Sequence, residues 1–205
     1  MDHAILRSPI LLTLRKTAAE RWGPEQAGSI YRTALLRAEA LFRENATAGK
    51  ALRPHLHRQI LPMIAVYETL RTVLDQPEAL DMTYGIALGL IPAKAEKLRR
   101  ILKLPNLYRL VPGVFGSMTD RFFGAAAGFS ARKYPIKKGE WHLDMLRCPY
   151  FETCKRYGCP ELTKCFCDSD DICYGHMHQK LVWARSKTLG KGGDCCDFHL
   201  YIREG

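Results

Sequence analysis

The apolar residues of this 205-residue chain change period once, and that change fixes its fold class. Over residues 8–123 they recur at three-, four- and seven-residue spacing, the mark of amphipathic helices. Ser8 before Pro9 reads as an N-cap with proline in the first turn. Leu11, Leu14 and Ala18 continue one face until Gly23-Pro24 stops it. A second helix is expected over residues 25–48, with Ile30, Ala34 and Leu41 inward. Arg53-Pro54 opens a third, in which Pro62 removes a backbone donor and should force a kink. Residues 80–104, broken near Ile91-Pro92, and residues 106–123 complete the helical run.

Beyond about residue 128 the pattern alternates. Strands are expected over residues 129–134 and 139–146, joined by a turn at 135–138. In Trp141-His142-Leu143-Asp144-Met145 the apolar side chains share one face, and His142 and Asp144 share the other. Short helices follow at 149–157 and 160–173, then strands at 180–189 and 195–203 around a loop at 190–194. On the last strand Cys196, Phe198 and Leu200 lie opposite Cys195, Asp197, His199 and Tyr201. The expectation is one α+β domain over residues 1–205. Its helical part (8–125) would pack on a small, mostly antiparallel sheet with a cysteine-rich C-terminal segment (126–205).

An apolar fraction of 47% is enough for a real core. The net charge of +10 arises entirely before residue 148 and is scattered along helices. A nucleic-acid binder would show a basic stripe interleaved with aromatics. The excess reads instead as a solvated basic surface, or as attraction for an acidic metabolite or an anionic membrane. No stretch is long and apolar enough to span a membrane. No signal-peptide pattern is evident, so the expected compartment is the cytoplasm and the cysteines are expected to be reduced.

All eight cysteines fall between Cys148 and Cys196. Their spacing is irregular and lacks the paired C-x2-C of a structural zinc site. No cofactor or metal is therefore expected, with zinc as an alternative. Cys167 stands three and four residues before Asp170 and Asp171, on one helical face. Either Cys167 is a nucleophile activated by a cation from elsewhere, or Asp170 activates water and Cys167 lines the pocket. Asp197 and His199 on one strand, with His142 and Asp144 on another, suit acid/base chemistry or a solvated sheet face equally.

The segment from Arg147 to Phe198 carries Arg147-Cys148-Pro149, Gly158-Cys159-Pro160-Glu161-Leu162 and Cys167 with Asp170. Arg185-x-Lys187-Thr188-Leu189-x-x-Gly192 and Asp194-Cys195-Cys196-Asp197-Phe198 follow. With Leu52-Arg53-Pro54, Leu61-Pro62 and Tyr67 upstream, it resembles the L-2-amino-thiazoline-4-carboxylic acid hydrolase family. The resemblance implies a hydrolase that opens a small cyclic amidine or amide, with an N-carbamoyl amino acid as product. Within it, Cys167, Asp170, Asp197 and His199 are the expected catalytic residues. Arg185, Thr188, Gly192 and Cys196 are expected to bind substrate, Arg185 through the substrate's carboxylate. The 190–194 loop could donate to an oxyanion. Asp197 is expected to be covered by the 159–173 helices and paired with His199 or Arg185. The expected partner is a small-molecule substrate. The alternative is a non-enzymatic small-molecule-binding or sensory domain whose cysteines hold a metal.

Overall fold

The structure is a computed structural model that describes residues 3–135 and 137–203. Its helices, in chain order, are α1 (His3–Leu6), α2 (Pro9–Trp22), α3 (Pro24–Glu44), α4 (Arg53–His55) and α5 (Leu61–Leu70). Then come α6 (Gln76–Gly89), α7 (Ile91–Leu102), α8 (Val111–Phe122), α9 (Pro149–Arg156) and α10 (Thr163–Tyr174). The strands are β1 (Ser130–Lys133), β2 (Glu140–Arg147), β3 (Leu181–Ala184) and β4 (Cys196–Ile202). The class is α+β, and all strand pairs are antiparallel. The chain divides into two compact units, residues 1–90 with 153–165, and residues 91–152 with 166–205. That division falls well before the change of period near residue 125, because α7 and α8 group with the strands.

The first unit is helical. Ser8 caps α2 by accepting from the amide of Leu11, and Leu11, Leu14 and Ala18 are fully buried. Each such leucine contributes roughly 1.5–3 kcal/mol by leaving water. Gly23 ends α2 at φ 83°, a left-handed value that glycine adopts without steric cost, and Pro24 starts α3 at once. The kink expected at Pro62 takes a definite form. Residues Leu56–Ile60 make a π-helical turn, and α5 restarts with Pro62 in its first turn. The wider turn accommodates a residue that cannot donate to the turn before it. Within α5, Tyr67 is fully buried and its hydroxyl donates to Glu161 Oε1 at 2.5 Å. The helix expected from about residue 80 starts earlier. Asp75 caps it by accepting from the amide of Glu78 at 2.9 Å, and Pro77 occupies the first turn.

The second unit holds the sheet, in the order β1-β2-β4-β3. β2 is flanked by β1 and β4, with His142 opposite His199, Asp144 opposite Asp197 and Met145 opposite Cys196. The expected turn at 135–138 includes Ile136, which lies outside the described residues. The strand expected over 180–189 is shorter, because residues beyond Ala184 leave β3 for the loop. Trp141, Leu143 and Met145 alternate into the buried face of β2. There α8 covers them, with the Phe115 ring edge-on to Trp141 at 5.3 Å between centroids. Gly116 faces the same indole, with room for a Cβ at ordinary contact distance, 3.7 Å. No described helix is long and apolar enough to cross a membrane.

Candidate active site

Between the sheet and the helices of the second unit lies a cavity of about 560 Å³. Strand alternation supplies its floor: Trp141, Leu143 and Met145 from β2, Trp183 from β3 and Phe198 from β4. Helical spacing supplies its walls. α8 contributes Val111, Val114, Phe115 and Met118, and α7 contributes Lys94, Leu98, Ile101 and Leu102. From α10 come Asp170, Cys173 and Tyr174, at spacings of three and four residues. The aromatic rings form one continuous wall, with Trp141 and Trp183 at 6.2 Å, Trp183 and Phe198 at 5.6 Å, and Tyr174 and Trp183 at 5.1 Å. The ionisable groups in the wall are Lys94, Asp170, Cys173 and Tyr174. Another hollow, about 530 Å³, has its Asp120 and Lys133 already joined in an ion pair and offers less chemistry.

Asp170 is the chemically distinctive group. Its side chain keeps 41% of its surface accessible, at a position on the cavity wall. The surrounding protein withholds enough solvation to push its carboxyl up to about 7, although Arg185 opposes the shift. Behind it the guanidinium of Arg185 is almost sealed, with a side-chain exposure of 2%. Arg185 Nη2 donates to Asp171 Oδ2 at 2.6 Å and to the Cys167 carbonyl at 2.6 Å, and Nη1 stands 3.6 Å from Asp170. The same guanidinium lies over the Phe198 ring at 5.1 Å. Asp171 also accepts from the indole N–H of Trp183 at 2.9 Å. Arg185 therefore ties α10 to the sheet. With a side-chain exposure of 2% and no place in the lining, the guanidinium expected to hold a substrate carboxylate does not face the cavity.

The remaining expected residues divide between the two faces of the sheet. Cys167 is buried, and burial raises its thiol above the ordinary value despite Arg185 and Thr188 nearby. It does not line the cavity, so a neutral, enclosed thiol stands where a nucleophile was expected. Cys148 and Cys196 bear on Cys167 electrostatically, and burial pushes them up to about 11 and about 12. Cys196 Sγ accepts from the amide of Leu189 at 3.3 Å. Thr188 is buried beside this knot, and Gly192 closes the short turn Leu189–Lys191 at φ 84°. Cys196, Thr188 and Gly192 thus build the β3–β4 connection, and none of them lines the cavity.

Asp197 and His199 point to the opposite face of β4 from Phe198, away from the cavity. Proton transfer by them within it is excluded by the pleat. Asp197 accepts from the Ser186 amide at 3.0 Å, from the Lys187 amide at 2.8 Å and from the Ser186 hydroxyl. These bonds hold its carboxyl below the ordinary value against a desolvation that acts the other way. Its partners are thus loop donors, in place of the expected His199 or Arg185, and the helical cover expected for it lies over the other face. His199 instead stacks on His142 at 4.5 Å, as their shared strand face suggested, and its Nε2 lies 2.5 Å from Glu140 Oε1.

Lys94, Tyr174 and Trp183 were not singled out from sequence. Lys94 lies in the basic amphipathic stretch recognised there, but its neighbourhood with Asp170 and Cys173 depends on how α7 meets α10. Comparison with known families now decides the grouping. The model of the L-2-amino-thiazoline-4-carboxylic acid hydrolase family matches residues 53–200. The chain belongs to that family. No curated protein matches it. A solved H-NOX protein from S. oneidensis, in the Fe(II)NO ligation state, aligns with 96% of this chain and 99% of its own. Its identity is 11% and its TM-score 0.39, a likeness too loose to bear on fold or function.

Proposed function

We propose that this family member is a hydrolase that opens a small cyclic amidine or amide, and that Asp170 is its acid/base. The observation that carries the reading is a lone carboxyl, poised at about 7, in the otherwise apolar wall of a half-open cavity. A group with that affinity for protons can both take and return one near neutral pH. Family membership supports hydrolysis of an aminothiazoline-like ring. In that chemistry Asp170 as carboxylate takes one proton from water while the oxygen bonds to the amidine carbon. The C=N π pair moves onto the ring nitrogen, which takes up the remaining hydroxyl proton as the new C=O forms. Collapse of the tetrahedral carbon breaks the ring C–S bond, and the proton passes from Asp170 to the departing sulfur. An N-carbamoyl amino acid bearing a free thiol results. A lactam-type ring would break its C–N bond in the same way. Arg185 positions the carboxyl, and exposed Lys94 is the cation available to a substrate carboxylate.

The wall is overwhelmingly hydrocarbon and aromatic, which favours rings bearing apolar substituents. The same observation favours a second reading, in which the domain binds an apolar small molecule without turnover. Incubation with aminothiazoline carboxylates and substituted lactams, followed by mass spectrometry, separates the two. Hydrolysis that disappears in Asp170→Asn and persists in Cys167→Ser is the expected result. Saturable binding with no product from any ring in the series would leave the binding reading. Turnover that survives Asp170→Asn and is abolished in Cys167→Ser would return the chemistry to the thiol.

A further inference from the structure

The outer face of the sheet carries a second constellation that the cavity chemistry does not use. Glu140 and His142 lie two residues apart on β2, so their side chains emerge on the same face. His199 of β4 is the direct cross-strand partner of His142. One ligand-capable atom from each of Glu140, His142 and His199 falls within 4.8 Å of the other two, and among the described residues no other trio does so. The geometry points to a divalent transition-metal site formed by Glu140, His142 and His199.

The chemistry of the donors selects the ion. Two imidazoles and one carboxylate suit zinc, cobalt or ferrous iron, whereas calcium and magnesium prefer all-oxygen surroundings. Ring packing holds both imidazoles in place. The Tyr134 ring stacks on His142 at 4.1 Å, and its hydroxyl donates to Asp144 Oδ2 at 2.6 Å. Tyr201 packs against His199 at 4.7 Å. Both partners of the Glu140–His199 pair are mostly covered, with side-chain exposures of 21% and 31%. The pair's atoms stand 2.5 Å apart in a hydrogen bond, so the two side chains would part to about 3.3 Å to share a tetrahedral ion, a side-chain adjustment well within the 4.8 Å span of the trio. All three ligands come from one side of a pleated surface, which leaves the outward positions of the ion open to water or an added ligand. The site stands apart from the buried thiols at Cys167 and Cys196, since Cys196 lies on the opposite face of β4 from His199. It does not depend on the hydrolytic reading, since no cavity residue takes part.

The test uses the whole protein, reduced and stripped with a chelator, then titrated with zinc by calorimetry and with cobalt by absorption. The expected result is saturable binding of one ion, with weak visible cobalt bands and no intense thiolate charge-transfer band. His142→Ala and His199→Ala should each weaken zinc by about tenfold or more. Circular dichroism should show the fold retained. If a variant does not fold, X-ray absorption of the zinc-loaded wild type gives the same decision through a first shell of nitrogen and oxygen only. Absence of saturable binding, sulfur in the first shell, or affinity unchanged in folded His142→Ala and His199→Ala would overturn the assignment.

Discussion

Asp170 holds its proton near neutrality although a guanidinium stands 3.6 Å away, because Arg185 has committed its strongest bonds to Asp171 and to a carbonyl. Desolvation is the larger effect and sets the sign of two outcomes. A carboxyl raised from 3.8 to about 7 binds more protons in the folded state than in the unfolded one. Its contribution therefore lowers stability as pH climbs from about 4 to about 7, and adds no further slope above that. Asp170→Asn should accordingly gain melting temperature relative to wild type at pH 8 and lose that advantage at pH 4. Turnover should rise through about pH 7 in the wild type and fall by roughly 10²–10⁴ in Asp170→Asn. Asp197 behaves differently. Asp197→Asn weakens acceptance from the Ser186 and Lys187 amides and should cost about 1 kcal/mol while leaving kcat within a factor of about two. Denaturant unfolding and steady-state kinetics on the same preparation check both halves.

Among the elements, helix starts were the most legible in the chain. Ser8-Pro9 and Gly23-Pro24 carry their own stereochemistry, and the structure places α2 and α3 where those residues demand. Asp75-x-Pro77 carries the same signal, and its cap extends α6 ahead of the apolar pattern. Asp75→Ala should lower stability by about 1 kcal/mol with no change in turnover, read from chemical denaturation. Gly23→Ala should cost about 1–3 kcal/mol through its positive-φ, extended-ψ backbone alone, since a Cβ there would meet no neighbour. The pleat was legible as well: alternation placed His142 and His199 together and sent Phe198 inward. What one strand does not record is which loop its outward carboxylates will meet. Asp197 found Ser186 and Lys187 because β3 ends at Ala184, and nothing local marks that end. The cavity was illegible for the same reason. Its walls come from α7, α8 and α10, whose approach depends on side chains distant in the chain.

At the scale of the whole molecule, the eight cysteines are all free, and six of them are buried. A thiol reagent should find about eight groups after denaturation without reductant, but only the less protected ones quickly in the native protein. Recovery of far fewer after denaturation would mean disulfides or a bound metal. These residues cluster in sequence between Cys148 and Cys196, and the fold divides them. Cys148, Cys167 and Cys196 meet behind Asp170, while Cys154 and Cys159 pair near each other in the helical unit. Thiols that pack as small apolar groups need no common site.

The chain contains three tryptophans, and two of them, Trp141 and Trp183, form the cavity floor. Their emission is consequently a built-in gauge of what occupies that space. A ligand that displaces water from the indoles should shift the spectrum to shorter wavelength, and a quenching one should dim it. Trp183→Phe keeps the ring while removing the donor to Asp171, so its spectrum isolates the Trp141 signal apart from Trp22. Candidate rings can thus be ranked by light alone, without a label and before any product is known.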